Sequence, residues 1–165
     1  MAQITLKGTP IHTCGDLPEP GSQLPDFTLT RGDLSDVHLA DFAGKRKILS
    51  LVPSLETSVC ATSARWFNEE AGKLPNTVVL VISADLPMAQ KRFCEAEGIE
   101  NVVALSTFRS TLGKDYGVEI VDGPIAGLLS RCIIVLDEQD RVLYVEQVPE
   151  IGQEPDYNAA LQALA

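Results

Sequence analysis

Between Lys47 and Gly98 the chain runs twice through the same order: a continuous apolar run, a turn carrying proline, then a helix-forming stretch. The first run is Lys47-Ile-Leu-Ser-Leu-Val52 and the second is Thr77-Val-Val-Leu-Val-Ile-Ser83. Neither alternates apolar with polar residues, which is the pattern of strands covered on both faces, as parallel strands are. Parallel neighbours require helical crossovers, so this stretch alone points to an α/β sheet. Pro53 ends the first strand, Thr57 or Ser58 is placed to cap the next helix, and Gly72 and Pro75 stop it. After the second strand Asp85 is placed as a cap, with Pro87 in the first turn and Gly98 at the helix end.

The flanking segments complete one domain over residues 1–165. Ile4 to Leu6 and Thr9 to Thr13 form a hairpin about Gly8, which Pro10 confines to an edge. Cys14 to Gly21 is turn-rich and reads as a connector; Phe27 to Thr30 and Val37 to Leu39 read as short strands. Val102 to Leu105 is a further strand, and Ser110 to Tyr116 a short helix before Gly117. Cys132 to Leu136 and Val142 to Glu146 form an antiparallel hairpin, and Pro155 opens a last helix through Leu164. Strand–helix–strand–helix, then a hairpin and a final helix, is the order of a thioredoxin-like α/β domain. The expected architecture is a mixed central sheet flanked by helices, with an N-terminal β-hairpin extension. No repeat or internal boundary interrupts it.

Composition narrows the partners. The formal net charge of −10 disfavours nucleic acid and anionic membrane surfaces. No apolar run approaches a membrane span, and the first eight residues lack the layout of a signal peptide. The expected compartment is therefore the cytoplasm, where cysteines are more often free, catalytic or metal-bound than bridged. Cys14, Cys60, Cys94 and Cys132 are widely separated singles; the spacing argues against zinc, and there is no Cys-x-x-Cys, because Ser63 stands three residues after Cys60.

Cys60 falls in the first turn of a helix at the carboxyl end of a strand. Free backbone N–H groups and the positive end of the helix dipole there favour a thiolate. The plain alternative is a buried structural cysteine. Taken alone, Arg131 reads as a surface charge at a strand end, Thr57 as an N-cap and Cys94 as a small core residue. Cys132, in Cys-Ile-Ile-Val-Leu, reads as buried and inert, and the role of Cys14 stays open. His12 and His38 read as structural, and Trp66 and Phe67 as packing or interface residues on one helix face.

Pro53-x-x-x-Thr57-x-x-Cys60, Gly21-x-x-x-Pro25-Asp26-Phe27, Ser83-Ala-Asp-Leu-Pro87 with Arg92-Phe-Cys94, Gly123-Pro-x-x-Gly-Leu-x-x-Arg131 and Glu154-Pro-Asp-Tyr157 form a set. Over essentially its whole length the chain resembles the thiol peroxidases, the atypical two-cysteine branch of the peroxiredoxins. The resemblance implies that Cys60 attacks the peroxide and Cys94 resolves it as an intramolecular disulfide. It also implies that Thr57 and Arg131 shape the peroxide pocket and that Pro53 shields it. Thioredoxin is the implied reductant and a homodimer the implied assembly, with no cofactor and no metal. Glu56, Thr107 and Met88 depart from the family pattern, and none of them bears on the chemistry.

The chemistry asks for more than a thiolate. A cysteine with pKa about 8.5 is roughly 3% ionised at pH 7, and lowering that pKa to about 6 gains about thirtyfold. Lost nucleophilicity returns about tenfold of it. The rest of the rate must come from aligning the peroxide oxygens and stabilising charge on the leaving one, a task that suits the planar donor fork of Arg131 and the hydroxyl of Thr57. Two other classes compete. A non-enzymatic redox sensor would use the same disulfide without repeated turnover. A cysteine hydrolase would need a histidine by Cys60, which no motif supplies.

Overall fold

The two apolar runs lie side by side. In the computed structural model, which describes residues 1–164, Arg46–Leu51 (β5) pairs in parallel with Thr77–Ser83 (β6), with Leu49 opposite Leu80. Val103–Ser106 (β7) continues the parallel set beyond β6. Antiparallel strands complete the sheet on both sides: Leu29–Thr30 (β3) and Asp36–Val37 (β4) beyond β7, Cys132–Leu136 (β8) and Val142–Gln147 (β9) beyond β5. The order is β4-β3-β7-β6-β5-β8-β9, a mixed sheet, and Gln3–Leu6 (β1) with Thr9–His12 (β2) form a separate hairpin.

Successive side chains of the central strands face opposite layers. Leu49, Leu51, Leu80 and Ile82 pack with Leu105, Leu112 and Tyr116; Ile48, Val79, Val81 and Ile133 pack with Cys60, Phe67 and Ala160. Each such fully buried aliphatic side chain contributes roughly 1.5–3 kcal/mol by leaving water. The helices Ser58–Ala71 (α1), Pro87–Glu97 (α2) and Tyr157–Gln162 (α4) all contribute to the second layer, while Leu112–Asp115 (α3) sits on the first. Trp66 of α1 stacks on Tyr157 of α4 at 4.4 Å, with Phe67 edge-on to the same ring, so this pair packs rather than binds a cofactor.

Three local expectations need correction, and one residue of the first apolar run has a partner the sequence does not show. β3 and β4 are shorter than expected: after Val37 the chain turns into a 3₁₀ helix, Leu39–Phe42, because the Asp41 carboxylate accepts the His38 N–H at 2.7 Å and Asp26 accepts that of Leu39 at 3.0 Å. The last helix starts at Tyr157, because Asp156 caps it by accepting from the Ala159 N–H at 3.0 Å. Lys47, in the apolar run, is wholly buried; its ammonium is paired with Asp140 and donates to the Lys45 carbonyl at 3.1 Å. A buried charge is tolerated only with such partners, and this one ties β5 to the β8–β9 loop. Finally, Asp85 does not cap α2. Leu86 is the N-cap, with no side-chain bond, and Pro87 opens the helix.

Candidate active site

Cys60 sits where strand β5 hands over to α1, at the carboxyl edge of the parallel strands. Pro53 is buried at the strand end, and Thr57 caps the helix. The Thr57 hydroxyl accepts the Cys60 N–H at 3.3 Å and donates to the Ser54 carbonyl at 3.1 Å. Its donor is thus engaged, and one lone pair is left for a second donor such as a peroxide O–H. Cys60 is fully buried, and so is Arg131, at 0% and 2% exposure.

Arg131 Nη1 donates to the Cys60 sulfur at 3.1 Å, and its Nε donates to the Ile151 carbonyl at 2.9 Å. A guanidinium held by two fixed acceptors has little freedom to turn, so its cationic fork is set against the sulfur before any substrate arrives. A cleft of about 450 Å³ reaches Arg131 and is lined also by Thr57, Val59, Leu6, Ile151 and Gly152, with the Cys60 sulfur behind Arg131 rather than in its wall. The N-terminal hairpin forms part of its rim because Thr5 pairs with the chain leaving β9: its N–H donates to the Pro149 carbonyl at 2.8 Å and its carbonyl accepts the Ile151 N–H at 2.9 Å.

Cys94 is elsewhere. It lies in the last turn of α2, half-buried, and its carbonyl accepts from Gly98 and Ile99, which close the helix. Burial first, then the Glu95 charge, pushes its thiol up from the ordinary range. Counting from Pro87, Cys94 stands seven residues, about 10 Å, along the helix. All four cysteines are free. Cys60 belongs to the second core layer and Cys94 packs against it, so the two share one side of the sheet.

The remaining candidates separate from this site. Cys132 is buried, with its thiol pushed up to about 12, chiefly by burial, and 3.1 Å from the Ser130 hydroxyl. Cys14 donates to the Gly113 carbonyl at 3.5 Å. His12 contacts Asp122 at 2.7 Å and holds its carboxyl below the usual range, and His38 contacts the Phe27 carbonyl at 3.1 Å.

Two parts of the site carry no local sequence signal. One is the Ile151 carbonyl that aims Arg131. The other is Asp85, whose carboxylate accepts from the Ser54 hydroxyl at 2.7 Å, the Leu55 N–H at 2.8 Å and the Ser83 hydroxyl at 2.7 Å. An Asp two residues after an apolar strand and two before Pro suggests only a cap.

A helix-start cysteine clasped by a buried arginine on this sheet defines a thiol-redox protein of the thioredoxin-like class. The redoxin family model matches residues 19–161. Thiol peroxidases from Mycobacterium bovis and Mycobacterium tuberculosis are each 56% identical over 164 residues, covering 99% of this chain and 99% of theirs. A solved peroxiredoxin-like protein from Aquifex aeolicus superposes with a TM-score of 0.93 at 35% identity, covering 99% of this chain and 96% of that one. The chain belongs to the redoxin family and, within it, to the thiol peroxidases. Among the described residues no helix is long and apolar enough to cross a membrane.

Proposed function

We propose that this chain, acting as one domain, reduces hydrogen peroxide and organic hydroperoxides through Cys60, with Cys94 as the resolving thiol and thioredoxin as the reductant. The observation that carries the reading is the 3.1 Å approach of the buried Arg131 guanidinium to the buried Cys60 sulfur at a helix N-terminus. The sulfur attacks the near peroxide oxygen in line: an S–O bond forms, the O–O bond breaks, and the alcohol or water leaves with a proton. Arg131 and the first-turn N–H groups stabilise the charge on the leaving oxygen. Thr57 accepts from the peroxide, and Pro53 excludes water from the turn.

The Cys94 sulfur then attacks the sulfenic sulfur, forming the Cys60–Cys94 disulfide and releasing water. Two thiol–disulfide exchanges with the thioredoxin dithiol restore both thiols. Cys60 opens its helix, Cys94 lies about 10 Å along its own, and both thiols are free; a disulfide needs Cα atoms within about 7 Å, so on this reading a turn unwinds between the two steps. Leu86, Met88 and Phe108 follow the adjacent parallel strands β6 and β7 and are 51%, 55% and 43% exposed, which supports a homodimer closing over this edge. The role is antioxidant defence in the cytoplasm.

The test is a coupled assay that follows reductant consumption with peroxide and thioredoxin. Cys60→Ser should fall to background, and non-reduced digests of the peroxide-treated parent should contain the Cys60–Cys94 peptide pair. Turnover persisting in Cys60→Ser would refute the reading. A single stoichiometric oxidation without turnover would leave the sensor reading in its place.

A further inference from the structure

The two cysteine-bearing helices are joined at their entrances by one carboxylate. Asp85 stands between β6 and α2, and all three donors to its oxygens are fixed by the fold. Oδ1 takes the Ser54 hydroxyl; Oδ2 takes the Leu55 N–H and the Ser83 hydroxyl. Ser54 in turn organises the loop into α1: its hydroxyl accepts from the Glu56 N–H at 3.1 Å, and its carbonyl accepts from the Thr57 hydroxyl at 3.1 Å and the Thr57 N–H at 3.3 Å. Thr57 caps Cys60. On the other side, the buried Gln90 of α2 donates to the Ser83 hydroxyl at 2.9 Å and to the Leu105 carbonyl at 2.8 Å, while the Ser106 hydroxyl donates to the Asp85 carbonyl. A continuous chain of hydrogen bonds therefore runs from α2 through Ser83, Asp85, Ser54 and Thr57 to the Cys60 backbone.

We propose that Asp85 is a positioning residue that acts as a latch: it holds the Cys60 turn in its peroxide-competent form and must let go for that turn to unwind toward Cys94. This rests on Cys60 and Cys94 being the reacting pair. Two features give the latch its place. It anchors Ser54 and Leu55, the residues immediately before the turn that has to open. It also draws on donors from the β6–α2 connection, across about thirty residues of sequence, so opening one helix entrance disturbs the other. The sulfur must sit within a fraction of an ångström of its aligned position for in-line attack, and a misplacement of about 1 Å costs on the order of a hundredfold in rate. The same contacts oppose unwinding. Releasing them should thus slow the first chemical step and quicken the second.

The experiment measures the two steps separately by rapid quenching and mass spectrometry, with sulfenic acid trapped by a 1,3-dione and the Cys60–Cys94 disulfide counted in non-reduced digests. In Asp85→Ala, sulfenic acid formation should fall about ten- to a hundredfold, and conversion of sulfenic acid to disulfide should rise severalfold. Over-oxidation of Cys60 at high peroxide should fall with it. Asp85→Asn keeps one accepting oxygen for the Leu55 N–H and should restore most of both rates. Ser54→Ala removes one donor to Asp85 together with the acceptor of the Glu56 N–H, leaves the Leu55 backbone bond to Asp85 in place, and should show the same opposite-signed split at roughly three- to tenfold, which keeps the test open if Asp85→Ala does not fold. Both steps slowing together in a folded variant, or both staying within twofold of the parent, would overturn the latch. A parent protein that forms no sulfenic acid at Cys60, or no disulfide with Cys94, would instead overturn the reading beneath it.

Discussion

The turn that holds Cys60 and the turn that holds Cys94 lie on the same side of one sheet and are built in opposite ways. Cys60 opens a helix; its sulfur is sealed from solvent, touched by a guanidinium, and backed by a capped turn and a carboxylate-anchored loop. Cys94 closes a helix; it is half-buried, its thiol is pushed up by burial and by Glu95, and its turn is held by backbone bonds to Gly98 and Ile99. The first turn presents developing negative charge with the positive end of a helix dipole and a cation; the second presents it with a helix C-terminus and an acid. The first suits the attacking part that the proposed function gives to Cys60. The second suits the resolving part that it gives to Cys94.

The contrast would be broken most severely at Arg131. Arg131→Lys keeps a cation but loses the planar fork that meets the sulfur and the Ile151 carbonyl together. The expected loss is about two to three orders of magnitude in kcat/KM for peroxide, the scale of removing one oriented donor. The rate of disulfide formation from the sulfenic acid should be little changed. A Lys variant within threefold of the parent would show that the guanidinium only fills space between β8 and α1.

At Cys94 the lever is pH. Its raised value means that the folded turn holds the thiol proton more tightly than an open chain does. That contribution to the folded turn is whole below the ordinary cysteine range of about 8.5 and is lost as pH rises through the folded value. Resolution also needs the thiolate, whose fraction grows about tenfold per pH unit below the pKa. Disulfide formation in single-turnover quench experiments should therefore quicken about tenfold per unit between pH 6 and 8. A flat profile would move the limit from the Cys94 proton to the opening of a helix turn.

Much of this was legible because its causes are local. The β5 and β6 runs, the Thr57 cap, the first-turn place of Cys60 and the Gly98 stop each follow from residues a few positions apart. What escaped depends on partners far along the chain. The ammonium of Lys47, at the head of the first apolar run, finds its partner only in Asp140, some ninety residues on. Asp85 has the sequence position of a cap, yet its carboxylate serves Ser54 and Leu55. Arg131 stands at the start of a strand, and nothing local says that a guanidinium there is buried against a sulfur from α1. Family resemblance, not periodicity, singled out Arg131 and Cys94. Neither source pointed to the rim of the cleft, Glu150 to Gln153, which becomes part of the site only because the N-terminal hairpin pairs with it.

The mildest test acts on the Cys94 turn without touching its chemistry. Gly98 ends α2 in the left-handed conformation, φ 65°, and a methyl group placed there would meet no atom within 4 Å. Gly98→Ala therefore adds backbone strain and no collision, a cost of about 1 kcal/mol borne only while the turn is folded. That energy shifts the opening equilibrium about fivefold. Disulfide formation from the sulfenic acid should quicken by that factor, while reaction with peroxide, decided at the other turn, should stay at the parent rate. Because Cys94 is held from the C-terminal side by Gly98 and Ile99, the same change should raise amide exchange from Cys94 to Ile99 and leave Ser58 to Ala61 as they were. A resolution rate unmoved by Gly98→Ala, with exchange raised as expected, would place the opening that limits catalysis in the Cys60 turn alone.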